Sequence, residues 1–200
     1  MAMNEEKNDS LTPETKKKST LKGIIREVFI FALIAFGIVL PFRMYIAEPY
    51  LVDGRSMDPT FATGDYLIVD KISYAFNAPE RNSVVVLKYP KDTNKSFIKR
   101  IVGLPGETVI IKDNVVTIVN AENPDGFVVD GSYVTHTSTG SYEKELEEDE
   151  YYVLGDNRAE SFDSRFWGPL QKKYIIGRPI IRLFPLTKID ILPGKYYEKN

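Results

Sequence analysis

The chain of 200 residues contains no cysteine, and its only histidine is His136. Without cysteine there are no disulfides, no thiolate metal sites and no cysteine nucleophile. His136 lies in the polar stretch 131–140, and we interpret it as an exposed loop histidine, because a metal site needs further histidine or cysteine ligands nearby. We therefore expect no metal and no other cofactor, and any catalysis must use other groups.

The chain also lacks a large excess of charge of either sign, since its formal net charge is only -2. A nucleic-acid partner would require a basic face, so we exclude nucleic acid as a partner. With 43% hydrophobic and 27% charged residues, the composition is that of a globular protein. The length suffices for one well-buried domain with an appendage, and not for two large domains.

A single long apolar run is present near the N-terminus. Residues 28–40 carry no charge, but as a helix they would span only about 20 Å of a hydrocarbon core about 30 Å thick. Extension to 24–46 provides enough length if Arg26 and Arg43 extend toward the two interfaces. This segment is a candidate membrane anchor.

Three interpretations of the apolar segment compete. A cleaved signal peptide needs a small residue near its cleavage point, where the chain has Tyr45. A buried core helix is rarely apolar all round and flanked by a basic cluster. We therefore predict a retained transmembrane helix over 23–46 after a disordered tail over 1–22. Basic residues concentrate before the helix, so the tail is expected in the cytoplasm and the domain 47–200 outside the cell membrane.

The remainder of the chain has the pattern of a mainly β domain. Short β-branched runs are separated by turn signals, and helical periodicity is nearly absent after the apolar segment. We predict a compact coiled β-barrel or sandwich, and a solvated loop or edge for the acidic segment 143–150. The predicted strands are 66–69, 83–87, 97–102, 108–111, 115–119, 151–154 and 175–183.

A serine and a lysine are the candidate catalytic pair. A serine hydroxyl needs a base to become a nucleophile, and a lysine can serve if burial lowers its pKa by roughly 2–3 units from about 10.4. Lys99 shares a strand face with Phe97 and Ile101, which indicates such burial. Two alternatives remain from these residues alone: Lys99 at the edge of a sheet with its amine in solvent, and Ser56 in a simple turn.

Four segments in order resemble the type I signal peptidases of bacteria, in the single-span form of many Gram-positive species. They are SMDPT at 56–60, GDYLIVDK at 64–71, KRIVGLPG at 99–106 and GDNRAESFDSRFWG at 155–168. The resemblance implies a membrane-bound serine endopeptidase that removes signal peptides from exported preproteins after small residues. The expected partners are exported preproteins and membrane lipid.

The resemblance also implies a role for individual side chains. Ser56 is the expected nucleophile, and Lys99 is the expected general base for both halves of the reaction. The hydroxyl of Ser161 is expected to hold the lysine amine in position. Two salt bridges, Asp163 with Arg165 and Arg100 with Asp156, are expected to support the site.

The oxyanion hole and the substrate pockets follow the same resemblance. Some relatives have a second serine two residues before the nucleophile, where this chain has Gly54. The oxyanion is therefore expected to rest on the N–H of Ser56, with help from the N–H or Cα region near Gly54. The residues expected to line two shallow apolar pockets are Tyr50, Val52, Met57, Phe97 and Ile98.

Other functions account for less of the sequence. Ser96 and Lys99 match the Ser-x-x-Lys pattern of β-lactamases, but the companion motifs and the larger domain are missing. Self-cleaving repressors would have a DNA-binding domain in place of the apolar segment. The alternative without catalysis is an inactive membrane-anchored β module that acts as a scaffold in secretion or pilus assembly, which would be expected to lose Ser56 or Lys99.

Overall fold

The computed structural model describes residues 21–41 and 46–195. In the first range, α1 (Leu21–Ile34) continues as a π-helical segment, Ala35–Val39, and none of the residues of α1 is buried. No helix in the two ranges is both long enough and apolar enough to cross a membrane. Part of the predicted anchor (42–45) and most of the predicted tail (1–20) lie outside the described residues.

Residues 46–195 form a β-rich unit with two short helices, α2 (Ser73–Phe76) and α3 (Ser164–Trp167). Short 3₁₀ segments occur at Arg158–Glu160, Lys172–Tyr174 and Leu186–Lys188. The strands are β1 (Ala47–Leu51), β2 (Tyr66–Asp70), β3 (Val84–Tyr89), β4 (Asp92–Gly103), β5 (Thr108–Lys112), β6 (Val115–Val119), β7 (Phe127–Val128), β8 (Ser141–Glu145), β9 (Glu150–Leu154), β10 (Leu170–Gln171), β11 (Ile175–Phe184) and β12 (Asp190–Ile191).

Two sheets make up this unit. The large sheet has the strand order β1-β2-β11-β3-β4-β9-β10, and β12 pairs with β11. The small sheet has the order β7-β6-β5-β8. Because β1 and β10 are opposite ends of the large sheet, the strands of the described residues form no closed barrel. The barrel alternative of the prediction is therefore wrong, whereas the mainly β class is confirmed.

Alternation of side chains explains how the two sheets pack. In β5 and β6 the buried residues are Val109, Ile111, Val116 and Ile118, and their neighbours along the strands are more exposed. They share one hydrophobic core with residues of β4 and β9, including Val102. The small sheet consequently covers strands β4 and β9 of the large sheet, and β4 is the strand that carries Lys99.

The central strand β3 is buried on both faces. Val85 and Leu87 contribute to one core cluster and Val84 to another. A strand covered on both sides has a continuous apolar run instead of alternation, as residues 84–87 do. Burial of β3 fixes the position of its neighbour β4.

All seven predicted strands overlap strands of the structure. The prediction omitted β1 and the short strands β7, β10 and β12, and it placed no strand at β8. The acidic segment 143–150 was expected to be a loop or edge, and its first residues belong to β8, an edge strand of the small sheet.

Candidate active site

Ser56 lies in the connection between β1 and β2. Two hydrogen bonds close the ends of this connection, from Val52 N–H to the Asp65 carbonyl and from Gly64 N–H to the Val52 carbonyl, each 2.9 Å. Within it, the Phe61 N–H donates to the Met57 carbonyl at 2.9 Å, and both side chains are buried in one core cluster. The packing of Met57 and Phe61 holds the chain on the C-terminal side of Ser56 in place.

Lys99 lies on β4 opposite Val85 of the buried strand β3. Its side chain is 3% exposed, although its amine is the polar end of a long flexible chain. The amine donates hydrogen bonds to the Ser56 hydroxyl oxygen at 2.8 Å and to the Ile98 carbonyl at 2.9 Å. The two candidate catalytic groups, separated by 43 positions in the sequence, are therefore in direct contact.

Burial also changes the protonation of Lys99. Removal from water lowers the pKa of the amine from 10.5 to about 8, because the charged form loses its hydration. The carboxylates of Asp163 and Asp156 oppose this shift, and the charge of Arg165 adds to it. A substantial fraction of the amine is consequently neutral near pH 8, and a neutral amine has a lone pair that can accept the Ser56 proton.

The residue after the lysine forms the first of the two predicted salt bridges. Arg100 donates to both carboxylate oxygens of Asp156, at 2.9 and 2.7 Å, and both side chains are buried. The Thr60 hydroxyl donates to the same carboxylate at 2.6 Å. A network of hydrogen bonds thus connects the serine-bearing turn, the lysine-bearing strand and the segment after β9.

The second predicted salt bridge is also present. Arg165 donates to the two oxygens of Asp163, each at 2.8 Å, and to the Arg158 carbonyl at 2.8 Å. Asp163 accepts a further hydrogen bond from the Gly155 N–H at 3.1 Å. The pair therefore holds together the two ends of the loop over residues 155–165.

Gly155 occupies a position where a side chain would not fit. A Cβ atom there would lie 2.3 Å from the Ser161 hydroxyl oxygen and 2.4 Å from the Ser56 carbonyl oxygen. The same carbonyl accepts a hydrogen bond from the Asn157 N–H at 3.0 Å. The loop thus packs directly against the backbone of Ser56.

Ser161 lies in this loop with its hydroxyl directed toward Gly155. Its oxygen is buried and has no hydrogen-bond partner within the described part of the chain. The amine of Lys99 instead bonds to Ser56 and Ile98, so the predicted contact between Ser161 and Lys99 is not formed in this structure. An ammonium group has three N–H donors, which leaves one for such a contact.

A small cavity opens beside the serine and the lysine. Its volume is about 70 Å³, well below the roughly 300–1,000 Å³ of typical small-molecule pockets. The lining residues are Tyr50, Leu51, Val52, Asp53, Ser56, Leu67, Val86, Ser96, Phe97, Ile98 and Lys99.

Four of the five residues predicted to line pockets lie on this cavity. The fifth, Met57, is 1% exposed and belongs to a core cluster, and it does not line this cavity. The turn reverses the direction of the side chain from Ser56 to Met57. A sequence pattern contains no information on the turn geometry, so it cannot distinguish a side chain that faces the cavity from one that faces the core.

The geometry around Gly54 bears on one part of the predicted oxyanion hole, the N–H of this glycine. The Gly54 N–H donates to the Thr63 hydroxyl at 3.1 Å, and that hydroxyl is also 3.1 Å from the Gly54 carbonyl. The N–H of Gly54 is therefore occupied within the turn. The φ angle of +110° at this glycine also strains any residue with a side chain.

Several supporting residues were not predicted. Thr60 belongs to the SMDPT segment, so its position was visible, but its contact with Asp156 depends on the fold. Asn157 contacts Ser56 through its backbone, which leaves no signal in side-chain type. Tyr133, whose ring centroid lies 4.1 Å from the Arg100 guanidinium, comes from the polar stretch that also contains the exposed His136.

Comparisons with known proteins show which family the chain is similar to. Residues 25–184 match the family described as "Signal peptidase, peptidase S26". A signal peptidase I of Leptolyngbya laminosa is 34% identical and covers 92% of this chain and 95% of its own length. A probable signal peptidase I-2 of Synechocystis is 32% identical, covering 92% and 85%. Signal peptidase I V of Bacillus subtilis is 34% identical, covering 74% and 93%.

Proposed function

The chain belongs to the signal peptidase family, peptidase S26, and we propose that it removes N-terminal signal peptides from exported preproteins by means of a Ser56–Lys99 dyad. The observation that carries this proposal is the 2.8 Å contact between the Ser56 hydroxyl oxygen and the amine of Lys99. The burial of the lysine supports it, since burial favours the neutral amine that a general base requires.

The proposed reaction proceeds through an acyl-enzyme. Neutral Lys99 accepts the hydroxyl proton as the Ser56 oxygen attacks the scissile carbonyl carbon. The ammonium then delivers this proton to the leaving amine as the peptide bond breaks, which releases the mature protein. In the second half, Lys99 takes a proton from water, the water oxygen attacks the ester, and the proton returns to Ser56.

The oxyanion of each tetrahedral intermediate is proposed to accept a hydrogen bond from the Ser56 N–H. Ser161 is proposed to orient the amine of Lys99 by a hydrogen bond that forms during the reaction, using the remaining N–H donor. The two buried salt bridges do no proton transfer in this mechanism; they position the strand and the loop that carry the reacting groups.

The cavity supports the proposed cleavage after small residues. With a volume of about 70 Å³, it is small enough to favour a side chain such as alanine next to Ser56. Its apolar lining residues, which include Phe97 and Ile98, would contact such a side chain without requiring a polar partner. Specificity would then arise from exclusion by size.

We also propose that the apolar N-terminal segment holds the enzyme at the membrane, with residues 1–22 in the cytoplasm and 47–200 outside. The concentration of lysine and arginine before residue 28 supports this orientation. Protease added to intact cells stripped of their wall should digest the β-rich unit. Digestion of the N-terminal tail with protection of that unit would reverse the orientation.

The test of the dyad compares single and double variants in the full chain. Ser56→Ala and Lys99→Ala should each abolish cleavage of a purified preprotein and preserve folding, and the double variant should be little worse than either. Matched controls are Ser141→Ala on β8 and Lys95→Ala, an exposed lysine on the same strand as Lys99. Retained cleavage in Lys99→Ala would exclude the dyad, and a wild-type chain without activity would favour the scaffold alternative.

A further inference from the structure

Four aromatic side chains form a row that begins beside the dyad. The ring centroid of Phe97 lies 5.2 Å from the amine nitrogen of Lys99, and its ring contacts that of Tyr89 at a centroid distance of 5.3 Å. Tyr89 meets Phe162 edge to face at 5.8 Å, and Phe162 stacks on Phe166 at 5.6 Å. We call Phe97, Tyr89, Phe162 and Phe166 the aromatic row.

The outer end of the aromatic row is exposed. Phe162 and Phe166 are 48% and 58% exposed, although burial of an aromatic side chain is strongly favourable. Their rings are stacked with an interplanar angle of 29°, so together they present an ordered apolar surface. A ligand with an apolar side chain would remove this surface from water.

The aromatic row is continuous with the small cavity at Phe97. This residue lines the cavity, whereas the other three do not. Phe162 directly follows Ser161, in the loop whose Asn157 N–H bonds to the Ser56 carbonyl. This loop therefore contacts Ser56, although it contributes no residue to the cavity lining.

This arrangement suggests what occupies the row. In the proposed function, the residues before the scissile bond enter the cavity and the scissile carbonyl lies at Ser56. The chain after the bond must leave the cavity past Ser56, and Phe162 lies on the loop that contacts Ser56 without lining the cavity. A surface that only contacted lipid would not need this continuity with Phe97.

We propose that the aromatic row binds the side chain of the first or second residue after the scissile bond and favours an apolar or aromatic residue there. This inference rests on the proposed function, because it assumes that the peptide is cleaved at Ser56. It adds a preference on the mature side of the cleavage site, which size exclusion by the cavity cannot supply.

The experiment uses the full chain in detergent micelles and a matched set of peptides. The peptides share one cleavage site with small residues and differ only at the first or second position after the bond, which is serine, leucine or phenylalanine. The variants are Phe162→Ser with Phe166→Ser, and Phe76→Ser as a control. Phe76 is 80% exposed in α2 and does not belong to the row.

At one of the two positions, wild type should cleave the phenylalanine peptide about fivefold to tenfold better in kcat/KM than the serine peptide, the gain expected for one stacked ring. The double variant should bring this ratio close to one, mainly through KM, with little change for the serine peptide. Phe76→Ser should retain the wild-type ratio, and equal melting temperatures would exclude misfolding.

Other outcomes overturn the inference. If wild type cleaves all the peptides equally, or the double variant keeps the ratio at both positions, the row does not bind substrate and the proposed function still holds. If the double variant loses only the binding to anionic lipid vesicles, the row contacts a lipid bilayer. If it loses only self-association in sedimentation, the row contacts a second copy of the chain. If wild type cleaves no peptide, the proposed function and this inference fall together.

Discussion

Arg100 and Asp156 form a bidentate pair that is buried on both sides, with side-chain exposures of 2% and 1%. Arg100 also donates to the carbonyls of Asn82 and Gly194, at 2.7 and 2.9 Å. Its neighbour on the strand is Lys99, so this pair fixes the backbone from which the proposed base extends. The charge that each partner contributes in the interior is tolerated only because the other is present.

Removal of one partner should therefore destabilise the fold strongly. Asp156→Ala leaves the Arg100 guanidinium without its carboxylate, and we expect a loss of about 3–5 kcal/mol in the free energy of unfolding. Urea denaturation measures this loss. Lys95→Ala breaks the exposed pair with Asp92 and should have little effect. Equal effects of the two substitutions would contradict the structural role of the buried pair.

A methyl group at Gly155 should disturb the site without a large effect elsewhere. The added Cβ would displace the Ser161 hydroxyl or the Ser56 carbonyl, and a displacement of about 1 Å near reacting atoms costs about 100-fold in rate. We expect this decrease in kcat for Gly155→Ala in a preprotein cleavage assay. Gly131→Ala is the control, because its nearest heavy atom lies 3.7 Å from the added Cβ. Normal kcat in Gly155→Ala would show that the loop adapts.

The sequence predicted the positions of the longer strands better than the arrangement of the sheets. Seven apolar runs indicated strands because side-chain alternation is a local property. The pairing of β11 between β2 and β3 depends on long-range contacts, so neither the open sheet nor the edge position of β1 could be predicted. The apolar neighbours of Lys99 on its own strand indicated burial, which the structure confirms, but its choice as the candidate base also depended on the resemblance of the four segments.

The details that escaped prediction depend on backbone geometry. The Asn157 N–H bonds to Ser56 whatever side chain position 157 carries, and the N–H of Gly54 is occupied by Thr63 because the turn folds back over nine residues. Met57 was assigned to a pocket by its position in the family resemblance, but its side chain lies in the core. The order of residue types in a sequence does not specify the directions in which these N–H groups and side chains point.

The buried lysine should make stability depend on pH in a definite direction. The pKa of Lys99 is about 8 in the fold and about 10.4 in the unfolded chain, so between these values the unfolded state binds more protons and stability rises with pH. Lys99→Met removes this dependence. The stability of wild type relative to Lys99→Met should increase by about 2.5 kcal/mol from pH 8 to pH 10.4, as measured by urea denaturation. A constant difference would mean that the lysine is not desolvated.

Ser161 offers a way to separate stability from activity. Its buried hydroxyl lacks a hydrogen-bond partner in the described residues, and an unsatisfied buried polar group is unfavourable. Ser161→Ala should therefore leave the melting temperature unchanged or raise it. If the hydroxyl orients the amine of Lys99 during the reaction, kcat should nevertheless fall by at least tenfold. A variant with unchanged kcat would exclude this role.

The proton affinity of the base should be visible in the rate of cleavage. Lys99 must be neutral to accept the Ser56 proton, and its pKa in the fold is lowered to about 8 by burial. The value of kcat/KM should therefore rise with pH through an apparent pKa near 8 and be lost as the amine becomes protonated below it. Lys99→Arg keeps the charge but cannot deprotonate, so it should be inactive at every pH although it folds.

His136→Ala should leave the profile unchanged, because this exposed side chain bonds only to the Thr135 hydroxyl among the described residues. An active Lys99→Arg enzyme, or a profile that moves with His136, would replace the lysine base by another group.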